Sequence, residues 1–114
     1  MADCLFCKIA NHQIQASIVY EDDALVAFND INPQAPTHIL LIPTTHYENA
    51  AELAGDDPSG LAALVTTART LAQAEGIDRS GYRVVTNTGP DAGQSVFHLH
   101  LHLLAGRGLS WPPG

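Results

Sequence analysis

The residues with the greatest chemical capacity in this 114-residue chain are three histidines at strict alternation, His98-Leu99-His100-Leu101-His102. Side chains alternate across a β-strand, so this spacing predicts one face carrying three imidazoles and an opposite face carrying Leu99, Leu101 and Leu103. Burying the imidazoles without polar partners would cost a few kcal/mol each, so the pattern demands partners. Two chemistries fit. An His-x-His pair on a strand can grip a transition metal with a third ligand from elsewhere. Alternatively, one imidazole attacks phosphorus while its neighbours orient it and neutralise the developing charge. The stretch upstream, with Asn87, Gly89, Gly93, Gln94 and Ser95, offers small residues, backbone N–H donors, an amide and a hydroxyl. That combination suits a phosphate oxyanion and weights the reading toward phosphorus chemistry.

The second constellation is Cys4-x-x-Cys7. A thioredoxin-type redox pair sits after a strand, at a helix start inside a βαβ unit, and no strand precedes this one. Redox catalysis is therefore disfavoured. Such a hook can instead supply half of a tetrahedral zinc site, with histidines completing it.

Composition narrows the partners. Twelve carboxylates against five basic residues give a formal net charge of −7, with no Lys/Arg run, so nucleic acid and anionic membranes are poor partners. A single phosphate remains within reach of backbone N–H groups and histidines. With 46% hydrophobic and 15% charged residues the chain can form a core, and its length suits one domain over residues 1–114. No apolar stretch approaches the roughly 20 residues of a membrane span. The start Met1-Ala2-Asp3-Cys4 lacks a basic and then hydrophobic targeting segment, so the expected location is cytoplasmic, where two cysteines stay reduced. A domain this small leaves apolar surface that a homodimer would cover.

The elements that must position these groups follow from pattern. Leu5–Ala10 predicts a short helix, and Ile18–Glu21 with Ala24–Phe28 a hairpin turning at Asp22-Asp23. Asn32-Pro33-Gln34-Ala35-Pro36 must be loop, and His38–Pro43 is a buried strand. Thr45-His46-Tyr47-Glu48 has capping-box spacing and predicts a short helix through Leu53. Asp57-Pro58 starts the long helix, in which Leu61, Leu64, Val65, Ala68, Leu71 and Ala72 recur at helical spacing before Gly76 stops it. Tyr82–Asn87 and Val96–Leu104 are strands around a loop at 88–94. The whole predicts an α+β domain with a mainly antiparallel sheet.

Three separated motifs also carry a family resemblance. The run Gly93-Gln94-Ser95-Val96-Phe97-His98-Leu99-His100-Leu101-His102-Leu103-Leu104 resembles the signature of the histidine triad (HIT) superfamily. Phe28-Asn29-Asp30-Ile31-Asn32-Pro33-Gln34-Ala35-Pro36-Thr37-His38 and the ending Trp111-Pro112-Pro113-Gly114 resemble its Hint branch, the purine nucleoside phosphoramidases. The resemblance implies a HIT-like fold, a five-stranded antiparallel sheet with one long and one short helix. It also implies a homodimer joined through the long helix and Tyr82–Asn87 into a ten-stranded sheet, with the Trp111 tail reaching toward the partner's site. The implied reaction is attack by His100 on the α-phosphorus of an adenosine 5′-phosphoramidate of the AMP-lysine type, then hydrolysis of the nucleotidyl-histidine.

By the same resemblance His102 and His38 lie beside the phosphate or brace the nucleophile. Asn87 and Ser95 contact phosphate or leaving group, and Gly93 and Gln94 supply backbone donors. Asp30 accepts the ribose hydroxyls, although from the sequence alone an Asx turn before Pro33 serves nearly as well. Leu5, Phe6, Ile9, Phe28 and Ile31 form an apolar slot for the base of AMP or GMP. Asn29 departs from the histidine that many eukaryotic Hint proteins carry beside the ribose carboxylate. Some bacterial members pair the cysteines with a histidine after the Ile-Pro strand and with the first triad histidine, which here implies structural zinc on Cys4, Cys7, His46 and His98. Two other readings stand beside the enzyme: a nucleotide-binding regulatory protein with little turnover, and a metal-centred site on His100 and His102.

Overall fold

The apolar runs of the sequence become a five-stranded antiparallel sheet in the computed structural model, which describes residues 4–114. Residues 1–3, part of the segment read above for a targeting signal, lie outside the described residues. The strands are β1 (Ile18–Glu21), β2 (Leu25–Asn29), β3 (Thr37–Pro43), β4 (Tyr82–Val85) and β5 (Leu101–Ala105), in the order β1-β2-β3-β5-β4. The last strand in sequence is thus inserted between β3 and β4, which carries the histidine segment to the interior of the sheet. The β1–β2 turn is held by Asp22, whose Oδ1 accepts from the N–H groups of Ala24 and Leu25 at 2.7 and 3.0 Å.

Alternation decides what each face touches. Leu25 and Ala27 of β2, Ile39 and Leu41 of β3, and Leu101 and Leu103 of β5 pack with Leu64 and Ala68 of the long helix α3 (Pro58–Ala74). On the opposite face Val26, Phe28, Leu40 and Ile42 pack with Phe6 and Ile9 of the short helix α1 (Leu5–Ala10). Covering both faces explains why β3 is buried from His38 to Pro43 and reads as a continuous apolar run. Helix α3 has proline in its first turn and turns its Leu61, Leu64, Ala68, Leu71 and Ala72 inward; Val65, expected with them, is 50% exposed. Gly76 ends the helical segment at φ +72, a conformation that favours glycine. Among the described residues no helix is long and apolar enough to cross a membrane.

Two sequence expectations need correcting. The short helix α2 (Ala50–Asp56) does not start at Thr45; its N-cap is Asn49, whose side chain accepts from the Glu52 N–H at 2.9 Å. The preceding backbone is engaged elsewhere, because Tyr47 O accepts from Leu99 N–H and Glu48 O from Gln94 Nε2, both at 2.6 Å. The final strand is also shorter than Val96–Leu104. Pairing of β3 with β5 reaches only Leu41 opposite Leu101, since Pro43 has no N–H and its carbonyl is taken by the His98 ring at 2.9 Å. Leu99 still joins Leu101 and Leu103 in the core, so the alternation survives without the ladder.

Leu103 is fully buried in the core cluster shared with α3, whereas Ile31 is 100% exposed. Leu103→Ala is expected to cost about 2–5 kcal/mol through transfer and cavity terms. Ile31→Ala should stay within about 0.5 kcal/mol of the parent. Urea unfolding of both variants checks the contrast, and comparable losses would contradict this assignment of the core.

Candidate functional site

The segment from His98 to His102 is held by groups that each satisfy one ring nitrogen. His98 is fully buried; with Pro43 O at 2.9 Å from Nε2, that nitrogen must carry the proton and donate it. His98 therefore turns a bare Nδ1 toward the cysteines. His100 Nδ1 lies 2.8 Å from His98 O and must likewise donate, leaving a lone pair on Nε2. The carbonyl of His100 is in turn held by the Thr86 hydroxyl at 3.0 Å, and Phe6 meets the His100 ring edge-on with centroids 4.9 Å apart.

The third histidine belongs to a different chain of bonds. Gln34 N–H donates to His38 Nδ1 at 3.0 Å, so the proton of neutral His38 resides on Nε2. That Nε2–H faces His102 Nδ1 at 2.9 Å, with Asp30 Oδ2 at 3.5 Å as a second acceptor. His102 thus accepts at Nδ1 and keeps its own proton on Nε2. Burial, reinforced by His100 and His38 and opposed by Asp30, pushes His102 down to about 4. Burial likewise lowers His38, against the pull of Asp30.

Between α1 and these rings lies a cavity of about 310 Å³. Leu5, Phe6, Ile9, Phe28, Asp30, Ile31, Ser95, His100 and His102 line it, together with Ile14, Gln15, Ala16, Asn29, Leu40 and Val96. The five apolar residues expected to form a slot are therefore in one place, beside Asp30 and two of the triad rings. Asp30 also makes the Asx turn, its Oδ1 accepting from Asn32 N–H at 2.8 Å, and that bond leaves Oδ2 uncommitted. Asn29 donates from Nδ2 to Ser17 Oγ at 2.9 Å. His38, Asn87, Gly93 and Gln94 lie outside the lining. The N–H groups of Gly93 and Gln94, expected as free donors, close the loop onto Pro90 O and Gly89 O at 3.0 and 3.1 Å. The Gln94 side chain braces the same loop, accepting from Gly89 N–H and donating to Glu48 O and Val96 O.

The cysteine hook also closes. Cys4 caps α1, its Sγ accepting from Cys7 N–H at 3.4 Å. Cys4 Sγ lies 3.4 Å from His98 Nδ1, Cys7 Sγ 3.4 Å from His46 Nδ1 and 3.5 Å from His98 Nδ1, and the two Nδ1 atoms are 3.1 Å apart. All four donor atoms fall within 4.8 Å of one another and could hold a metal ion. Burial, with Cys4 beside it, raises the Cys7 thiol, an energetic penalty on the thiolate that a cation would offset. Asp30, His38 and His102 form a second group at similar spacing. There the hydrogen bonds argue against a metal: the Gln34 N–H occupies one nitrogen of His38 and forces a proton onto the one that would ligate. The same logic counts against a metal on His100 and His102, because His102 Nδ1 is an acceptor already engaged and its Nε2 is protonated. Sequence reasoning missed Gln34 and Thr86. Gln34 acts through its backbone, so no side-chain signal could have revealed it.

A family model described as the HIT domain matches residues 11–109. The chain is 50% identical over 112 residues to an uncharacterized HIT-like protein of Synechococcus elongatus, covering 98% of this chain and 97% of that one. It is 43% identical over 107 residues to the purine nucleoside phosphoramidase of Escherichia coli K12, covering 94% and 90%. Among solved structures, a HIT family hydrolase from Legionella pneumophila superposes with a TM-score of 0.95 at 51% identity, covering 98% of this chain and all of that one. A histidine triad protein from Clostridium difficile gives 0.93 at 44% identity over 96% of each chain.

The folded state holds His102 neutral, whereas the unfolded chain takes up a proton near the ordinary 6.5. Its contribution to stability is therefore complete above pH 6.5 and is lost as the pH falls toward about 4. Urea midpoints are expected to drop across that window, and less steeply in His102→Gln. Parallel profiles for parent and variant would remove His102 as a cause.

Proposed function

The chain belongs to the HIT family, and from that premise we propose that it is a hydrolase cleaving the P–N bond of purine nucleoside 5′-phosphoramidates. The observation that carries this reading is the bond from His100 Nδ1 to His98 O, which leaves the Nε2 lone pair of a ring that lines the cavity. An imidazole fixed in that tautomer is a competent nucleophile at neutral pH without prior loss of a proton. The name of the Escherichia coli relative supports the same bond class.

In the proposed reaction the purine enters the apolar slot that Phe6 and Phe28 line, and Asp30 accepts the ribose hydroxyls. His100 Nε2 forms a bond to the α-phosphorus as the P–N bond breaks, and the nitrogen leaves as an amine after taking a proton from solvent; the water that later attacks returns a proton to solvent. The positive charge arising on His100 is shared with the His98 carbonyl through Nδ1–H. The Nε2–H of His102 and the hydroxyl of Ser95, both from residues that line the cavity, serve as donors for the phosphate oxygens. Water then attacks the nucleotidyl-histidine, releasing AMP or GMP and restoring the ring.

Cys4, Cys7, His46 and His98 suit zinc. Tetrahedral bonds of about 2.3 Å to sulfur and 2.0–2.1 Å to nitrogen imply donor separations of roughly 3.3–3.8 Å. Four of the six separations, 3.1–3.5 Å, are close to those edges, and all lie within 4.8 Å. Four protein ligands leave no open position, so the metal's service would be structural, tying α1 to the histidine segment. Two free cysteines fit a reducing compartment, in keeping with a cytoplasmic location. Homodimerisation is favoured by β4, an edge strand with Tyr82 and Val84 each 38% exposed.

Intact-mass spectrometry during turnover of an adenosine 5′-phosphoramidate tests the reaction. A nucleotidyl adduct on His100 is expected, with activity falling by several orders of magnitude in His100→Ala; unchanged turnover in that variant would sink the nucleophile. AMP binding without turnover of any phosphoramidate would leave a nucleotide-binding protein instead. For the metal, elemental analysis should give one zinc per chain, and Cys7→Ser should lower both occupancy and melting temperature. At a metal concentration 100 times its dissociation constant the loss is about 2.7 kcal/mol.

A further inference from the structure

His38 has one proton to give and two acceptors to give it to. Gln34 N–H fixes the His38 ring, since reversing its tautomer would set two donors face to face across 3.0 Å. The single Nε2–H then lies 2.9 Å from His102 Nδ1 and 3.5 Å from Asp30 Oδ2. Asp30 Oδ1 is committed to Asn32 N–H at 2.8 Å, so Oδ2 is the oxygen left to compete.

The outcome of that competition sets the character of His102. While His38 donates to it, His102 Nδ1 is an acceptor and the Nε2 side carries the proton, a donor suited to a phosphate oxygen. If the proton of His38 turns to the carboxylate, Nδ1 of His102 is released and its proton can move there. Nε2 would then offer a lone pair to an anion, which repels it.

We propose that His38 is a positioning residue coupling sugar recognition to the phosphorus chemistry: ribose hydroxyls donating to Asp30 Oδ2 satisfy the carboxylate and commit the His38 proton to His102. The inference rests on the phosphoramidase reading for its substrate, and on the hydrogen bonds above for its mechanism. The sugar hydroxyls therefore act on kcat as well as on affinity, although they are far from the bond that breaks.

The test compares adenosine 5′-phosphoramidate with its 2′,3′-dideoxy analogue on the parent, Asp30→Ala, His38→Gln and His38→Ala. On the parent, loss of the hydroxyls is expected to lower kcat on the order of tenfold, the worth of one hydrogen bond, in addition to raising KM. In Asp30→Ala the competing acceptor is gone, so kcat should become indifferent to the sugar while KM stays high. His38→Gln keeps an amide N–H near the Nε2 position and should retain more kcat than His38→Ala. A sugar effect confined to KM in the parent, or an equal kcat loss in the parent and Asp30→Ala, overturns the proposal. Failure of every phosphoramidate to turn over defeats the function reading instead, and then ¹⁵N spectra of the histidines decide. AMP, but not 2′,3′-dideoxy-AMP, should fix His102 in the Nε2–H form; identical His102 signals with both nucleotides overturn the coupling.

Discussion

Two backbone carbonyls in series govern this structure. Pro43 O orients the ring of His98, and His98 O orients the ring of His100. A neutral imidazole can carry its proton on either nitrogen, and its neighbours choose. Here the choice is made by main-chain atoms, whose positions are fixed by the sheet on one side and by the Tyr47–Leu99 contact on the other. The shortened ladder between β3 and β5 is part of the same arrangement. Ring and carbonyl of His98 serve as linking parts, so the first histidine of the triad supports the second without facing the cavity.

The pattern of proton positions also separates groups that spacing alone cannot. Cys4, Cys7, His46 and His98 and the trio of Asp30, His38 and His102 both bring donors together. In the first, a carbonyl removes the proton-bearing nitrogen of His98 from the cluster and leaves a lone pair facing sulfur. In the second, an N–H takes the lone pair and leaves a proton. Opposite backbone groups give identical side chains opposite aptitudes for a cation. Among the described residues no lysine or arginine lines the cavity between α1 and the rings. An anion there must be met by N–H and O–H dipoles, which accords with a chain of net charge −7.

Much of this was legible in the sequence because it depended on period and punctuation. Alternation gave the two faces of Leu99–Leu103, prolines bounded β3, and Asp57-Pro58 marked the start of α3. The apolar slot and the metal-capable cluster came with the family resemblance, and the fold gathers each set in one place. What escaped was chosen by tertiary demand. Thr45–Glu48 has the spacing of a helix start, yet its carbonyls are needed by Leu99 and Gln94, so the helix waits for Asn49. The N–H groups of Gly93 and Gln94 turn inward to close their loop. What Gln34 gives the His38 ring is an amide hydrogen that any residue but proline would supply.

The placement of β5 has a consequence for the order in which the molecule can become itself. The cluster joins Cys4 to His98, 94 positions apart, and the histidine segment enters the sheet between two strands that precede it. Local contacts form early and distant ones late, because loop closure must be completed before they contribute. As a chain emerging from synthesis, the helix that walls the cavity is made early, and the segment that brings the His100 and His102 rings to it is made late. No nascent fragment ending before His100 contains the site. The cavity therefore gains its imidazole wall only when the sheet closes around β5.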